Sequence, residues 1–426
     1  MVNVMNDTVP SVVAIDIGTQ KVSVLIGRIH APDNIEVIGM AYAPNRGMSK
    51  GIIRNLDKVV ASIKDAVSQA EDMADCRIHS AWVAIPSAEL KSFNASGRTP
   101  VMNQAISTTE IVRTLEMAKS SHLMPDHYLT NAVPLGVAID DQDEWVEHPI
   151  NMSGNFITGH YHLMMLPINT MQNLDKALKT AGIGVERMII STLATSEAVL
   201  LKEEKEYGIC MLDIGAGTTN IAVYLENRLI LSHTLQLGGE HVTRDIASVL
   251  QTSTEQAESL KIRYGCVDLS AIKPDHMIQI PGIGTTPGMV KSRIELAEII
   301  IARYEEIFEK VRAQLEQSGA INALLHGVVL TGEACQIEGA VALARRTLGV
   351  SAHLGNPPLC VDIAEEKRPL LRRSIYATAS GLLMYSQNEQ QRDGEVDTAS
   401  QAAPSWFEHY MLHPVQKALE KLRQLV

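Results

Sequence analysis

The chain is predicted to be a layered α/β protein built in two halves, on three observations. The segments VVAIDIGTQKVSVLIG at 12–27 and ICMLDIGAGTTNIAVY at 209–224 share one pattern of strand, Asp-Ile-Gly turn and strand, about 200 residues apart. Runs with strand alternation flank segments of helical periodicity, the signature of sheets covered by helices. A length of 426 residues allows two to four domains, each with its own core.

In chain order, the strand pattern of 12–27 continues through IEVIGMAYAP at 35–44, so a sheet begins there. From Leu56 to Ala74 the residues Val59, Ile63, Ala66, Val67 and Ala70 recur at helical spacing, and IHSAWVAIP at 78–86 returns to strand. Residues 87 to about 163 break the rhythm: a Ser/Thr-led helix, ISTTEIVRTLEMAKSS, then short strands in LTNAVPLGVAID and ITGHYHLMMLP, as expected of a small inserted domain. NTMQNLDKALKTAGI at 169–183 is an amphipathic helix ended by Gly182. After the second Asp-Ile-Gly unit come strands to Leu237, a Gly238-Gly239 turn, helix-rich sequence at 240–317, the strand GVVLTG at 327–332 and a helix at 337–348. SIYATASGLLMYS is expected to be the last globular helix, and QNEQQRDGEVDTASQAAP at 387–404, almost free of apolar residues, a flexible linker.

A hydrophobic content of 46% with 20% charged residues fits an ordinary globular protein. The formal charge of −12 opposes general nucleic-acid binding, which needs a basic surface. Five scattered cysteines without a C-x-x-C fit a reducing cytoplasm. There is neither an apolar run of spanning length nor a secretory start.

The two turns carry the chemistry. A strand ending in Asp-x-Gly and reversing tightly projects backbone N–H groups, and glycine lets phosphate oxygens approach them. The Asp carboxylate beside phosphate is repulsive unless a divalent cation intervenes, so Asp16 and Asp213 are candidates to orient the waters of a bound Mg²⁺, with Lys21 supplying positive charge. One such turn alone reads equally well as a plain hairpin. Two of them, with a strand ending in glycine at 327–332, suggest a nucleotide triphosphate clamped between domains.

These segments resemble the actin, Hsp70 and sugar-kinase superfamily, and within it the bacterial cell-division FtsA family. The resemblance rests on D-I-G-T-x-K at 16–21, D-I-G-A-G-T-T-N-I-A-V-Y at 213–224 and VVLTGEACQIEGA at 328–340. RGMSKGII at 46–53, MADCRIHS at 73–80, GGEHVTRDIA at 238–247, AESLKIRYG at 257–265 and ATASGLL at 377–383 add to it. It implies an actin-like, two-lobed ATPase fold of RNase H-like subdomains around an ATP cleft. Residues 11–83 and 164–195 would form the nucleotide-binding subdomain of the first lobe, and 84–163 an FtsA-type inserted interaction subdomain. Residues 196–237 and 320–386 would form the corresponding subdomain of the second lobe, with 238–319 as its outer subdomain.

The resemblance further implies that Gly18, Thr19, Lys21, Gly215, Gly217 and Thr218 cradle the phosphates of ATP. Glu258 and Lys261 would approach ribose and base, and Gly238, Gly239 and Gly332 would contribute backbone. Without the family, Glu258 and Lys261 are only an i, i+3 charge pair. Three positions depart from the family pattern: Ala216 for a third glycine, Gln20 at a variable site, and Glu333 where a second glycine follows Gly332. A side chain at 333 is expected to crowd the adenosine or to set a carboxylate near the phosphates, weakening nucleotide affinity.

Phosphoryl transfer also needs a group to position the attacking water or alcohol. In STLATSEAVL at 191–200 the sole acid is Glu197, a weak catalytic candidate, so slow or conditional hydrolysis is expected. No sugar-kinase acceptor motif is found. His160 and His162 share a strand face as half of a metal site, but no third ligand is obvious, and packed or solvated histidines are favoured.

From Pro414, an apolar face of Val415, Ala418, Leu419, Leu422, Leu425 and Val426 opposes a polar one, with Trp406, Phe407 and Tyr410 upstream. Residues 405–426 hold three basic and two acidic residues, a net +1 that leaves −13 for the rest. An amphipathic helix on a tether suggests a reversible membrane contact, the alternative being a helix packed on protein.

The expected function is that of an ATP-binding, Mg²⁺-dependent actin-like protein that forms protofilaments with itself. It would anchor FtsZ to the cytoplasmic side of the inner membrane at the division septum, touch lipid through the C-terminal helix and recruit later divisome proteins. The alternatives are an inner-membrane scaffold of a pilus or secretion machine, and a kinase or phosphohydrolase of the superfamily.

Overall fold

The computed structural model describes residues 11–396, apart from 32–33, 103–104, 123, 141, 143, 147, 285–286 and 358–360. The segment from Trp406 to Val426 read as a membrane helix lies outside the described residues.

The described residues start with three antiparallel strands, β1 (Ser11–Ile17), β2 (Lys21–Ala31) and β3 (Asn34–Pro44), and a short ribbon, β4 (Met48–Ser49) with β5 (Ile52–Ile53). Helix α1 (Leu56–Ala74) starts where the Asn55 side chain accepts from the Lys58 N–H at 3.0 Å. All five apolar positions marked by its periodicity are buried against the sheet that β6 (Ser80–Ile85) extends.

The inserted unit follows: β7 (Lys91–Pro100), α2 (Thr108–Ser120), β8 (His127–Ile139) and β9 (Phe156–Pro167). Its sheet has the order β7-β9-β8, antiparallel throughout, and Ser107 with Glu110 forms the capping box that starts α2. Then α3 (Ile168–Ala181) ends on Gly182 at φ 89°, which glycine adopts without steric penalty. Strand β10 (Gly184–Ile190) joins β6 in parallel and leads into α4 (Ser191–Val199).

The second lobe opens with α5 (Lys202–Tyr207) and the meander β11 (Ile209–Ile214), β12 (Thr219–Leu225) and β13 (Arg228–Leu235). Helices α6 (Gly239–Val249) and α7 (Thr254–Tyr264), strands β14 (Met277–Ile280) and β15 (Met289–Ser292), and helix α8 (Arg293–Gln317) come next. Strand β16 (Gly327–Thr331), helix α9 (Ala340–Leu348) and strand β17 (Ala352–Leu354) complete the sheet in the order β13-β12-β11-β16-β17. The stretch expected to be helix-rich thus contains a hairpin, β14 with β15, too short for its alternation to stand out between long helices.

The described residues end with β18 (Val361–Asp362), α10 (Arg368–Leu371) and α11 (Ala377–Val396), and here two expectations are corrected. Residues 320–386 do not all belong to the second lobe. β18 pairs in parallel with β3, making the first sheet β10-β6-β1-β2-β3-β18, and α11 packs on α4 and on β1, β2 and β6. The chain therefore crosses back to its starting lobe, which a local pattern does not reveal. Helix α11 also runs to Val396, so the first ten residues of the 387–404 linker are helical. Gln, Glu and Arg are good helix formers, and propagation from a packed base needs no apolar face.

Three cores result. One lies between the first sheet and helices α1 and α3, and another fills the outer half of the second lobe around Tyr304 and Phe308. The third is shared by the lobes: α4 and α11 lie between Val12, Ala14 and Leu25 of one sheet and Met211, Ala222 and Val329 of the other. Every residue of α4 but Glu197 is buried, and a Cβ at Gly381 of α11 would stand 1.8 Å from the Ala194 carbonyl oxygen.

The inserted unit rests on β13, the edge of the second sheet. Asn94 donates to the Ile230 carbonyl at 3.2 Å and Ser92 to that of Ser232, covering an edge that would otherwise expose unpaired backbone. His162 is buried in this seam, with Nδ1 2.6 Å from Asn94 Oδ1 and Nε2 2.8 Å from Ser232 Oγ. His160 instead stacks on Trp145 at 4.7 Å between centroids, and no cluster of three metal-ligating side chains occurs among the described residues.

Two predictions follow from this packing. Gly381→Ala drives a methyl into backbone and is expected to destabilise by about 1–3 kcal/mol, read as a lowered apparent Tm by calorimetry. Burial pushes the His162 pKa down from 6.5 to about 4, so the unfolded chain binds a proton in that window and the folded one does not. Stability is therefore expected to fall as pH drops from about 6.5 to 4, and His162→Gln to remove that part of the Tm profile against pH.

Candidate functional site

The two Asp-Ile-Gly units form equivalent hairpins in equivalent registers. In the first, Asp16 faces Ser23 and the Gly18 N–H donates to the Lys21 carbonyl at 2.8 Å. In the second, Asp213 faces Asn220 and the Gly215 N–H donates to the Thr218 carbonyl at 2.9 Å. Lys21 of one turn thus stands where Thr218 stands in the other. The parallel pairing of β1 with β6 and of β11 with β16 buries both Asp-bearing strands, which keeps each turn at the end of a rigid strand.

The shared core brings the hairpins face to face. A cavity between the lobes is lined by Asp16, Gly18, Thr19, Lys21, Asp213, Gly215, Thr218 and Gly332 from the expected set. Its walls add Ser87, Ser191, Asn220, Glu333, Ser374 and Thr378. Gly217 does not line it: a Cβ there would meet Thr19 Oγ1 and the Lys50 Cα at 2.8 Å, so this glycine lets the turn tips touch. Thr19 is held there by the Gly51 N–H, which donates to its Oγ1 at 2.9 Å. Gly332 has φ 86°, and a Cβ on it would lie 2.6 Å from Asp213 Oδ1. Both backbone and space require glycine. Ala216 is absent from the positive-φ residues, so its methyl is unstrained.

Charge in this cavity is unbalanced. Burial pushes the Asp16 carboxyl up to about 6, with the Asp213 charge adding to the rise, although Lys21 pulls the other way. Burial raises Asp213 as well, against the Asn220 amide that donates to its Oδ2 at 3.2 Å. Lys21 is itself engaged by Glu333, Nζ to Oε2 at 2.9 Å, and Arg373 stands 3.8 Å from Oε1 of the same carboxylate. Of the two outcomes expected of Glu333, the structure has the carboxylate reach the Lys21 amine. Two half-buried carboxylates lining one cavity, with a single lysine partly withdrawn from them, suit a divalent cation, and glycine-lined turns beside them suit phosphate oxygens. The residues present therefore fit a Mg²⁺-nucleotide, with Asp16 and Asp213 the groups that would serve the metal.

Other expected residues lie elsewhere. Gly238 and Gly239 brace the second hairpin from behind: the Gly239 N–H donates to the Gly215 carbonyl at 3.0 Å and the Glu240 N–H to that of Ala216 at 2.8 Å. Lys261 bridges the Gly239 carbonyl at 3.1 Å, Thr243 Oγ1 at 2.8 Å and Glu258 Oε2 at 2.7 Å, tying α7 to the start of α6. Among the described residues these four do not border the cavity. Glu197 is also outside it, paired with Lys205 at 2.7 Å, because the six residues from Ser191 carry it along α4 away from the turns. Asn220 was readable from sequence, since counting a tight hairpin outward from its turn sets it opposite Asp213. Ser87, Ser374 and Thr378 carried no such signal.

A family model described as cell division protein FtsA matches residues 210–381, and one described as the SHS2 domain inserted in FtsA matches residues 87–165. The cell division protein FtsA of Pseudomonas aeruginosa is 35% identical over 415 residues, covering 97% of this chain and 97% of its own length. That of Escherichia coli K12 is 33% identical over 401 residues, covering 92% and 94%. Among solved structures, the PilM-PilN type IV pilus biogenesis complex superposes with a TM-score of 0.64 at 16% identity, covering 88% of this chain and 98% of that one. MreB5 of Spiroplasma citri bound to ADP does so with 0.54 at 12% identity, covering 90% and 98%. At such identities these structures show the actin-like fold alone.

Because Asp16 is raised above its ordinary value of 3.8, the folded state binds the extra proton between pH 4 and 6 and loses stability as pH rises through that range. Asp16→Asn is expected to raise the apparent Tm of the ligand-free protein at pH 7, by on the order of 1–3 kcal/mol of stability. That gain should vanish below about pH 4. Added Mg²⁺ should narrow the difference between the two proteins in the same calorimetric experiment.

Proposed function

Because the chain belongs to the FtsA family of cell division proteins, we propose that it binds ATP with Mg²⁺ in the cleft between its lobes. On this reading it assembles into protofilaments on the cytoplasmic face of the inner membrane, anchors FtsZ there and recruits later division proteins. The observation that carries the nucleotide reading is the pair of equivalent hairpins, with Asp16 and Asp213 lining one cavity and Lys21 at the turn of one.

A divalent cation in this setting neutralises charge between carboxylates and phosphates. The chain's part is positioning. The glycines of the two turns let anion oxygens approach the backbone, Asn220 fixes the orientation of Asp213, and Thr19 with Gly217 sets how far the turns close. The acids of the cavity wall are Asp16, Asp213 and Glu333, each already engaged with charge, and Glu197 is remote. Nucleotide would therefore act mainly on assembly, with slow hydrolysis at most.

No described helix is long and apolar enough to cross a membrane, so lipid contact would fall to the amphipathic segment at 405–426. One short helix binds weakly, and joining many copies in a filament multiplies the anchors. Assembly would thereby govern residence on the membrane. The inserted unit at 87–165, docked on β13 through Ser92 and Asn94, is the natural platform for partner proteins, since it is held by both lobes.

Calorimetric titration of the full chain with ATP and Mg²⁺ tests the cleft. Lys21→Ala is expected to weaken binding by at least about tenfold, a charge-assisted contact being worth roughly 1.5–3 kcal/mol. Unchanged affinity would refute the assignment. Deleting residues 405–426 should abolish pelleting with anionic liposomes, and retained pelleting would remove the tether from this proposal.

A further inference from the structure

The Lys21–Glu333 contact joins the two lobes. Lys21 opens β2 of the first sheet, whereas Glu333 follows β16 of the second. The other carboxylate oxygen faces Arg373, which stands over the ring of Tyr42 on β3 at 5.9 Å and so belongs with the first lobe. One acid of the second lobe is therefore shared by two cations of the first, at the edge of a cavity whose remaining acids are Asp16 and Asp213.

The backbone beneath Glu333 is fixed. Gly332 is packed on Asp213 and on the Ile214 carbonyl, and the turn Glu333–Gln336 is closed by the Cys335 N–H donating to the Gly332 carbonyl at 3.2 Å. Tyr304, buried in the second core, donates its hydroxyl to the Ala334 carbonyl at 2.6 Å. The half-exposed carboxylate can thus turn away on its own rotamers while the strand end stays in place.

The geometry points to Glu333 as an interlobe latch: an internal carboxylate that occupies Lys21 and Arg373 as a phosphate group would, and that a nucleotide must displace to bind. It rests on the nucleotide reading of the cleft. A carboxylate presents two acceptor oxygens to lysine and arginine as phosphate does, so both anions compete for the same donors. If Glu333 stayed, its charge would add to those of Asp16 and Asp213 against an incoming triphosphate. With both of its partners on the other lobe, its release also frees the lobes to move. The residue thereby sets the nucleotide concentration at which the protein responds.

The test compares wild type with Glu333→Gln and Glu333→Gly as full chains, by two measurements. In nucleotide-free protein, amide hydrogen exchange over 18–21 and 332–336 should rise about two- to fivefold in both variants, as expected for losing a partly exposed ion pair. In calorimetric titration with Mg²⁺-ATP, both variants should bind about two- to fivefold more tightly than wild type. Faster exchange without ATP binding by any of the proteins would leave the interlobe contact standing but remove the nucleotide reading, and with it the displacement by nucleotide. Equal ATP affinity with unchanged exchange would overturn the latch and leave the nucleotide reading intact. Weaker ATP binding in the variants would overturn it too, because Glu333 would then be helping the nucleotide.

Discussion

The close crossing of α4 and α11 is the contact on which the rest of the structure depends. Glycine at 381 lets the α11 backbone rest on the Ala194 carbonyl of α4, and small or hydroxyl side chains such as Ser191, Thr195 and Thr378 keep the seam thin. Because both sheets pack against this pair, their strands end on opposite sides of one cleft. A wider spacing would separate the hairpins and their two carboxylates. The seam is also continuous with the cavity floor, where Ser87 meets Ser191 and Thr192 at 2.8 Å.

The cleft combines geometry close to symmetric with charge that is not. Equivalent registers put Asp16 and Asp213 in matching places, yet Lys21 in one turn is matched by Thr218 in the other. The negative excess is tolerated because each acid has a local partner: Asn220 for Asp213, Lys21 for Asp16 and Glu333, and Arg373 for Glu333. Such partial satisfaction suits a site that exchanges internal contacts for those of a charged ligand, since buried charges lacking any partner are strongly destabilising.

The lobes also meet where the inserted unit docks on β13. His162 is held neutral there, with Asn94 accepting from one ring nitrogen and the Ser232 hydroxyl available to the other. The seam adds these polar contacts to apolar ones, since Val133 and Met164 of the inserted unit share a buried cluster with Leu229 of β13.

Local periodicity and turn chemistry were enough to mark α1, α3, both hairpins, the inserted unit and the glycine-ended strand β16. Each reports its own environment through residues a few positions apart. The Asp, Gly and Lys residues of the turns were legible for the same reason. What local pattern could not express were contacts made across long stretches of chain. These include the return of β18 and α11 to the first lobe, the helical extension through 387–396, the brace formed by Gly238, Gly239, Glu258 and Lys261, and the distance of Glu197 from the cleft. Glu333 joins both kinds: its departure from glycine is visible in the chain, but its partner, more than 300 residues away, is decided only where the folded lobes bring opposite charges within hydrogen-bond reach.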